Sequence, residues 1–232
     1  QPSLVGDDGH ATRVLITLPG LGEEGRVDAF RRIKPLLEAD GLDTVVGGTY
    51  AVYDDVDAQV SEDIARAESI SMPFVFLLSL LIFGSLVAAL MPTMVGGVAV
   101  VGAFAVVRLL TLVTDVSVFA INVITLMGMG LAIDYALFVV SRFREELGGE
   151  SSREAVGAAL ERTMATAGRT VFFSGVIVAA SLSSLLLFPM TFLRSMGLGG
   201  MAAVLVAMTA SLTVLPAVLG VLGRRIDLGR IR

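Results

Sequence analysis

The sequence predicts a mainly α-helical membrane protein, in which a five-helix transmembrane bundle follows part of an α+β extracytoplasmic domain. Hydrophobic residues make up 55% of the 232 residues and the mean hydropathy is +0.83, whereas an ordinary soluble domain is roughly 45–50% apolar. Residues 1–69 contain fourteen acidic and six basic side chains, a net charge of −8. Residues 70–232 contain eight and eleven, a net charge of +3. This division predicts an acidic region outside the bilayer and a second region within it.

The acidic region, residues 1–69, has the pattern of the end of a mixed α/β domain. Residues 11–18 and 42–49 are rich in β-forming side chains and are bounded by glycine, so each predicts a strand. Between them, residues 24–39 place apolar side chains at helical spacing. A β-α-β piece of about 50 residues is too small for a complete core. We therefore expect residues 1–69 to be the C-terminal part of a domain that begins upstream.

Five apolar stretches follow, and each approaches or exceeds the ~20 residues that a helix needs to cross hydrocarbon. They cover approximately residues 70–90, 92–113, 117–140, 170–188 and 197–222. The connections are short except for a polar segment, 141–169, which predicts an amphipathic surface helix. Its apolar side contains Ala155, Val156, Ala159, Leu160 and Thr163.

Basic residues predict the orientation of the bundle. Segment 141–169 has five arginines and the tail after the last stretch has four. Because basic loops remain in the cytoplasm, we place 141–169 and 223–232 there and residues 1–69 outside it. Sixteen of the 17 basic residues are Arg, which indicates a GC-rich, actinobacteria-like genome. We therefore expect a multi-pass protein of a bacterial inner membrane.

Small residues recur at four-residue intervals in the last two apolar stretches. One stripe consists of Gly175, Ala179 and Ser183, and the other of Ala203, Ala207 and Ser211. Such stripes allow helices to approach closely in lipid, so they favour a packed bundle; ordinary small-residue content is the alternative.

One carboxylate in the third apolar stretch is the strongest candidate for chemistry. An ionised side chain at bilayer depth costs at least ~2.5 kcal/mol on insertion scales. Helical spacing puts Gly130, Asp134 and Phe138 on one face, with Gly130 leaving room for a partner or water. Tyr135 points about 100° away and can donate its hydroxyl to a carboxylate on another helix, while Ser174 lies near the same depth. We interpret Asp134 as a buried proton carrier; a structural aspartate paired with Arg or Tyr is the alternative.

The composition excludes several classes of site. The chain has no cysteine and one histidine, His10, so disulfides, thiolate nucleophiles and zinc ribbons are excluded. It contains no phosphate loop of the Gly-x-x-x-x-Gly-Lys type, and no Ser-His-Asp triad is available in the bundle. An intramembrane aspartyl protease would need a second aspartate within the apolar stretches. We expect a protein that is not an enzyme, uses no cofactor or metal and, with a net charge of −5, binds no nucleic acid.

The segment from Thr125 to Leu147 combines a Gly-rich approach, the Asp134-Tyr135 pair and a Ser-Arg-Phe-Arg-Glu-Glu exit at 141–146. This combination resembles the fourth transmembrane helix of the MMPL (mycobacterial membrane protein large) family of the resistance-nodulation-division superfamily. Gly168-Arg169-Thr170 and Leu215-Pro216-Ala217 are similar to that family as well. The resemblance covers residues 70–232 well and residues 1–69 loosely, as the end of a porter domain.

This resemblance implies export of lipids or other hydrophobic molecules across the inner membrane, driven by the proton-motive force. In the family, an Asp-Tyr pair in one half meets an equivalent pair in the other, so Asp134 and Tyr135 would form half of a proton relay. Gly130, Phe138 and Ser174 would support the relay or line its path. A sterol-sensing-type module, which binds or senses lipid without pumping, shares the Gly-x-x-x-Asp element and is the alternative.

The resemblance also implies partners. A full member has about twelve spans in two repeated halves, whereas this chain has five. We therefore expect its partners to be membrane lipids, a hydrophobic or lipid substrate and a C-terminal half of the same protein. A homo-oligomer is a further option.

Overall fold

The computed structural model describes residues 12–18, 23–38, 41–114, 116–117 and 119–229. Eight α-helices contain most of these residues, and no strand occurs among them. The helices are α1 (Glu23–Ile33), α2 (Thr49–Phe83), α3 (Leu86–Leu110), α4 (Phe119–Leu147), α5 (Arg153–Thr163), α6 (Arg169–Ser183), α7 (Thr191–Leu212) and α8 (Val214–Leu222). The mainly α-helical class is therefore confirmed.

The strands expected at 11–18 and 42–49 do not form in the described part of the chain. Residues 13–18 and 43–47 have no regular structure, and Val45 is 90% exposed. A strand satisfies its backbone groups only by pairing with a neighbour, and no strand is found at residues 13–18 or 43–47. The described residues therefore do not show the α+β character expected for residues 1–69.

The helix expected at 24–39 is shorter than predicted. It appears as α1 (Glu23–Ile33), which passes into a 3₁₀ turn, Lys34–Leu36. Pro35 occupies this turn, where its missing N–H interrupts α-helical bonding.

The chain divides into two compact units, residues 1–60 and 61–232. In the first, ion pairs connect α1 to the first turns of α2. Arg31 lies 2.8 Å from both Asp54 and Asp57, and Lys34 lies 2.8 Å from Asp54. Hydrogen bonds to Asp54, and then to Asp55, raise the pKa of Lys34. Because both basic side chains are more than 40% exposed, solvent screens these pairs.

In the second unit, α4 lies at the centre of the bundle. It packs against α3 and α7, and α7 also packs against α3 and α6. Close approach depends on small residues. A Cβ atom added at Gly175 would lie 2.7 Å from the sulfur of Met208, and one at Gly199 would lie 3.1 Å from the Cβ of Ala120. The two predicted small-residue stripes are buried except at Ser183.

Among the described residues, five helical segments are long and apolar enough to cross a membrane, as the sequence predicted. These are Thr49–Phe83, Leu86–Leu110, Ala120–Leu147, Arg153–Leu187 and Thr191–Asp227. The first break lies at Gly84, whereas the predicted stretches placed it between residues 90 and 92. Gly84 has a φ of 61°, which glycine adopts without steric cost. Pro92 is instead buried within α3, which continues despite the missing N–H.

The polar connection 141–169 is largely helical. α4 continues to Leu147, and Gly148 and Gly149 then turn the chain with positive φ values of 57° and 86°. Ser152 caps α5 by accepting a hydrogen bond from the backbone N–H of Ala155 at 3.1 Å. Val156, Ala159 and Thr163 of α5 are buried. A π-helical turn, Met164–Gly168, joins α5 to α6.

Candidate functional site

Asp134 lies near the middle of α4 and points away from the bundle. Gly130, Asp134 and Phe138 are all exposed, with Phe138 at 48%. Ala132 and Ala136, which face the opposite way, are completely buried. None of the described helices covers Asp134, and its interpretation as a buried proton carrier stays a prediction. The small side chains of α4 face α3 and α7, and the helical period therefore turns the carboxylate outward.

No basic side chain in the described part of the chain forms an ion pair with Asp134. The alternative of a structural aspartate paired with arginine therefore has no partner here. The exposed residues one turn on either side of the carboxylate, Gly130 and Phe138, are both apolar.

Tyr135 is turned inward, as its position next to Asp134 requires. It is 6% exposed, and its hydroxyl lies 3.5 Å from the hydroxyl of Ser174 on α6. Either group can be the donor, and a distance at this limit makes the bond weak. In this chain, Tyr135 contacts a hydroxyl on another helix; its predicted donation to a carboxylate on another helix stays a prediction.

A groove runs along α6 beside this contact. It has a volume of about 580 Å³ and is lined by Arg169, Thr170, Phe173, Ser174, Ile177 and Val178. Ser174 belongs both to the groove and to the contact with Tyr135. The groove is mainly apolar, with a guanidinium near one end, so it suits a hydrophobic group that has a polar end.

The structure thus separates the five predicted site residues into two sets. Asp134, Gly130 and Phe138 share the outer face of α4, whereas Tyr135 and Ser174 meet between α4 and α6. Of the residues that line the groove, sequence reasoning had selected only Ser174 as a candidate site residue. The sequence feature that could have indicated the groove is the polar pair Thr170 and Ser174, four residues apart on one helix face.

The sequence profile of the MMPL family matches residues 1–231. The chain belongs to the MMPL family. The match includes residues 1–69, for which the sequence suggested only a loose resemblance. This MMPL chain, with its five apolar helices, is a multi-pass membrane protein of a transporter family in the resistance-nodulation-division superfamily.

Several relatives are similar to this MMPL chain over most of its length. A putative membrane protein of Streptomyces coelicolor is 44% identical over 100% of the chain and 33% of its own length. The trehalose monomycolate exporter MmpL3 of Mycolicibacterium smegmatis is 40% identical, over 93% of the chain and 21% of its own length. The mycolic acid-containing lipids exporter MmpL11 of the same species is 42% identical, over 70% and 17%. The chain spans a third or less of each of these relatives.

Proposed function

We propose that this chain is the relay-bearing part of an exporter that moves lipids or other hydrophobic molecules across a bacterial inner membrane. The proton-motive force would drive export, and Asp134 and Tyr135 would form half of the proton relay. The proposal depends on one observation: a single carboxylate stands near the middle of an apolar helix, on the face that this chain leaves uncovered.

A charged carboxylate at this position is energetically costly. Near the middle of α4, Asp134 is about 20 Å from either end at ~1.5 Å per residue. Lipid cannot solvate a charge at that depth, so intramembrane acids face a bundle interior or a water-filled cavity. We therefore infer that further protein covers the outer face of α4. The relatives, of which this chain covers 33% or less, have the length to supply it.

A covered carboxylate of this kind couples protonation to conformation. The neutral form tolerates a closed apolar cleft, whereas the charged form needs water or a polar partner. Each proton that binds or leaves therefore favours a different packing of the two halves, which is the basis of alternating access. The resemblance implies that the partner is a second Asp-Tyr pair.

The neighbours of Asp134 fit a proton path. No atom lies within 4 Å of the position that a Cβ on Gly130 would occupy, so space for water remains one turn before the carboxylate. One turn after it, the ring of Phe138 blocks the same face. Tyr135 and Ser174 supply two hydroxyls on the inner side, 3.5 Å apart.

The orientation proposed from the arginines places 141–169 and 223–232 in the cytoplasm and residues 1–69 outside it. In support, the 141–169 segment is partly solvent-facing: Arg162 and Glu146 form an ion pair at 2.7 Å in which the arginine is 55% exposed. Protons would then enter from the side of residues 1–69 and leave near α5.

For the substrate, we propose a lipid with long acyl chains. Two relatives are named as exporters of trehalose monomycolate and of mycolic acid-containing lipids. The mainly apolar groove on α6, with Arg169 near one end, is compatible with a hydrocarbon chain attached to a polar group.

The test compares full-length protein with Asp134→Asn in proteoliposomes under an imposed pH gradient, with trehalose monomycolate as the lipid probe. Asparagine keeps the shape but cannot exchange a proton, so we expect export to fall about 100-fold or more. Asp134→Glu is the matched control, because it keeps the carboxyl group, and should retain part of the activity.

Wild-type export by Asp134→Asn would overturn the relay. If wild-type protein bound the lipid probe but never moved it under any gradient, the sterol-sensing alternative would replace the exporter.

A further inference from the structure

The last turns of α4 contain two arginines, Arg142 and Arg144, that make different contacts. Arg142 pairs with Glu145 at 2.6 Å and with Glu146. Glu146 in turn pairs with Arg162 of α5 at 2.7 Å. This side of the exit therefore joins α4 to the neighbouring surface helix.

Arg144 points to the opposite side. One of its terminal nitrogens donates a 2.7 Å hydrogen bond to the backbone carbonyl of Phe83. The other lies 2.7 Å from the carboxylate of Asp227, and the guanidinium stacks over the Phe83 ring at 5.7 Å. Arg144 and Asp227 are only 23% and 30% exposed, so water screens this ion pair less than a surface pair.

The carbonyl of Phe83 needs this donor because α2 ends there. The last four carbonyls of a helix have no partner within the helix, and Gly84 breaks α2 immediately after Phe83. Phe83 is itself buried, at 4% exposed, so water cannot replace the missing donor. A cationic side chain at a helix C-terminus also interacts favourably with the helix dipole.

A second polar contact, made by Ser85, lies in the same region. Ser85, which is completely buried, shares its single hydroxyl proton between the carbonyls of Ile226, at 2.6 Å, and Leu228, at 2.9 Å. The break between α2 and α3, the exit of α4 and the C-terminal turn are thus held at one point. We call this point the Arg144 junction; it consists of Phe83, Ser85, Arg144, Ile226, Asp227 and Leu228.

We propose that Arg144 is a positioning residue for Asp134, holding α4 at one height and rotation so that the carboxylate meets its partner. This inference rests on the proposed function. Arg144 lies ten residues, or ~15 Å along the axis, from Asp134. Between them Val139, Val140 and Phe143 are completely buried. α4 moves as a rigid rod over this distance, so a slide or rotation at the junction displaces the carboxylate equally.

Arginine is required for this role because the contacts diverge. Its planar fork reaches a carbonyl and a carboxylate at once while stacking on a ring, whereas lysine offers one point charge. Three variants should therefore lose different numbers of these contacts. Arg144→Gln loses every contact, Arg144→Lys keeps one at a time, and Asp227→Asn leaves the contact with Phe83 intact.

The experiment measures two quantities in full-length protein in proteoliposomes: the lipid probe exported and the protons admitted, the latter with a pH dye inside the vesicle. Both are expressed per folded molecule. We expect Arg144→Gln and Arg144→Lys to raise the protons admitted per lipid about tenfold, and Asp227→Asn to raise it less. Arg224→Gln, which removes a charge from an exposed side chain of the C-terminal turn, should match the wild type.

A merely structural arginine would lower the amount of folded protein and leave the ratio unchanged, and this result in the Arg144 variants would overturn the inference. If both Arg144 variants fail to fold, Asp227→Asn decides, and a wild-type ratio in that variant is equally negative. Normal export by Asp134→Asn would instead remove the proposed function, so the two failures are distinguishable.

Discussion

The inner face of α4 consists of completely buried small and apolar side chains, whereas its outer face presents Gly130, Asp134 and Phe138 to the surroundings of the chain. Both faces come from one continuous helix, so local conformation does not distinguish them. The inner face determines how closely α3 and α7 approach. The outer face contributes little to packing within this chain, and its residues are therefore free to serve a reaction.

Introducing leucine on each of the two faces of α4 is the sharpest test of this comparison. In full-length protein, Asp134→Leu should reduce export of the lipid probe about 100-fold or more without lowering thermal stability, because it removes a carboxylate that is costly at bilayer depth and that no described helix packs against. Ala136→Leu should lower stability by about 1–3 kcal/mol, because its site is fully packed. Thermal unfolding in detergent measures the second effect. The comparison fails if Asp134→Leu is the less stable variant.

A smaller change adds one methyl group at the packed contact between α4 and α7, and one on the outer face of α4. Gly199→Ala on α7 places a Cβ 3.1 Å from the Cβ and 3.2 Å from the carbonyl oxygen of Ala120, so we expect a loss of about 1 kcal/mol. Gly130→Ala meets no atom within 4 Å and improves helix propensity, so the fold should gain up to about 1 kcal/mol.

For Gly130→Ala, export is expected to change in the opposite direction to stability. Gly130→Ala should slow proton-driven export if the space beside Asp134 is a water path. The stability gain combined with slower export would support the assignment; unchanged export would leave Gly130 without a role in the relay.

The smallest expected effect lies in residues 1–60. Asp54→Asn removes the carboxylate shared by Arg31 and Lys34, but Asp57 and Asp55 remain near them. We expect amide hydrogen exchange in α1 to accelerate only about twofold to fivefold, because exposed pairs are weak. Asp57→Asn, which removes one pair only, is the control. Export per folded molecule should not change, and a large loss of export would show that this network does more than hold α1.

The predictability of the fold differed between the two regions for a physical reason. A membrane helix satisfies its own backbone groups, so hydropathy alone located the five apolar helices. A strand depends on a neighbour, and the described residues 13–18 and 43–47 form no strand despite their β-rich pattern. Likewise, Pro92 suggested a helix start, but α3 accommodates it and the break occurs at Gly84.

The candidate site was predictable to a similar extent. The helical period placed Gly130, Asp134 and Phe138 together and turned Tyr135 away from them, and the structure agrees. Which of those directions faced the bundle depended on α3 and α7, so the sequence did not show that Asp134 lies outside the contacts among the described helices. The groove on α6 required the packed structure, because no local pattern marks a depression.

The sequence by itself determined the membrane class, the number of apolar helices, the MMPL family and the shared face of the relay candidates, because these depend on local hydropathy, spacing and motif. Only the tertiary structure decided that Asp134 faces outward and that Tyr135 meets Ser174. It alone joined Arg144 to Phe83 and Asp227, which lie 61 residues before it and 83 residues after it. Contacts over such separations arise from the packing of whole helices, which no short segment of sequence encodes.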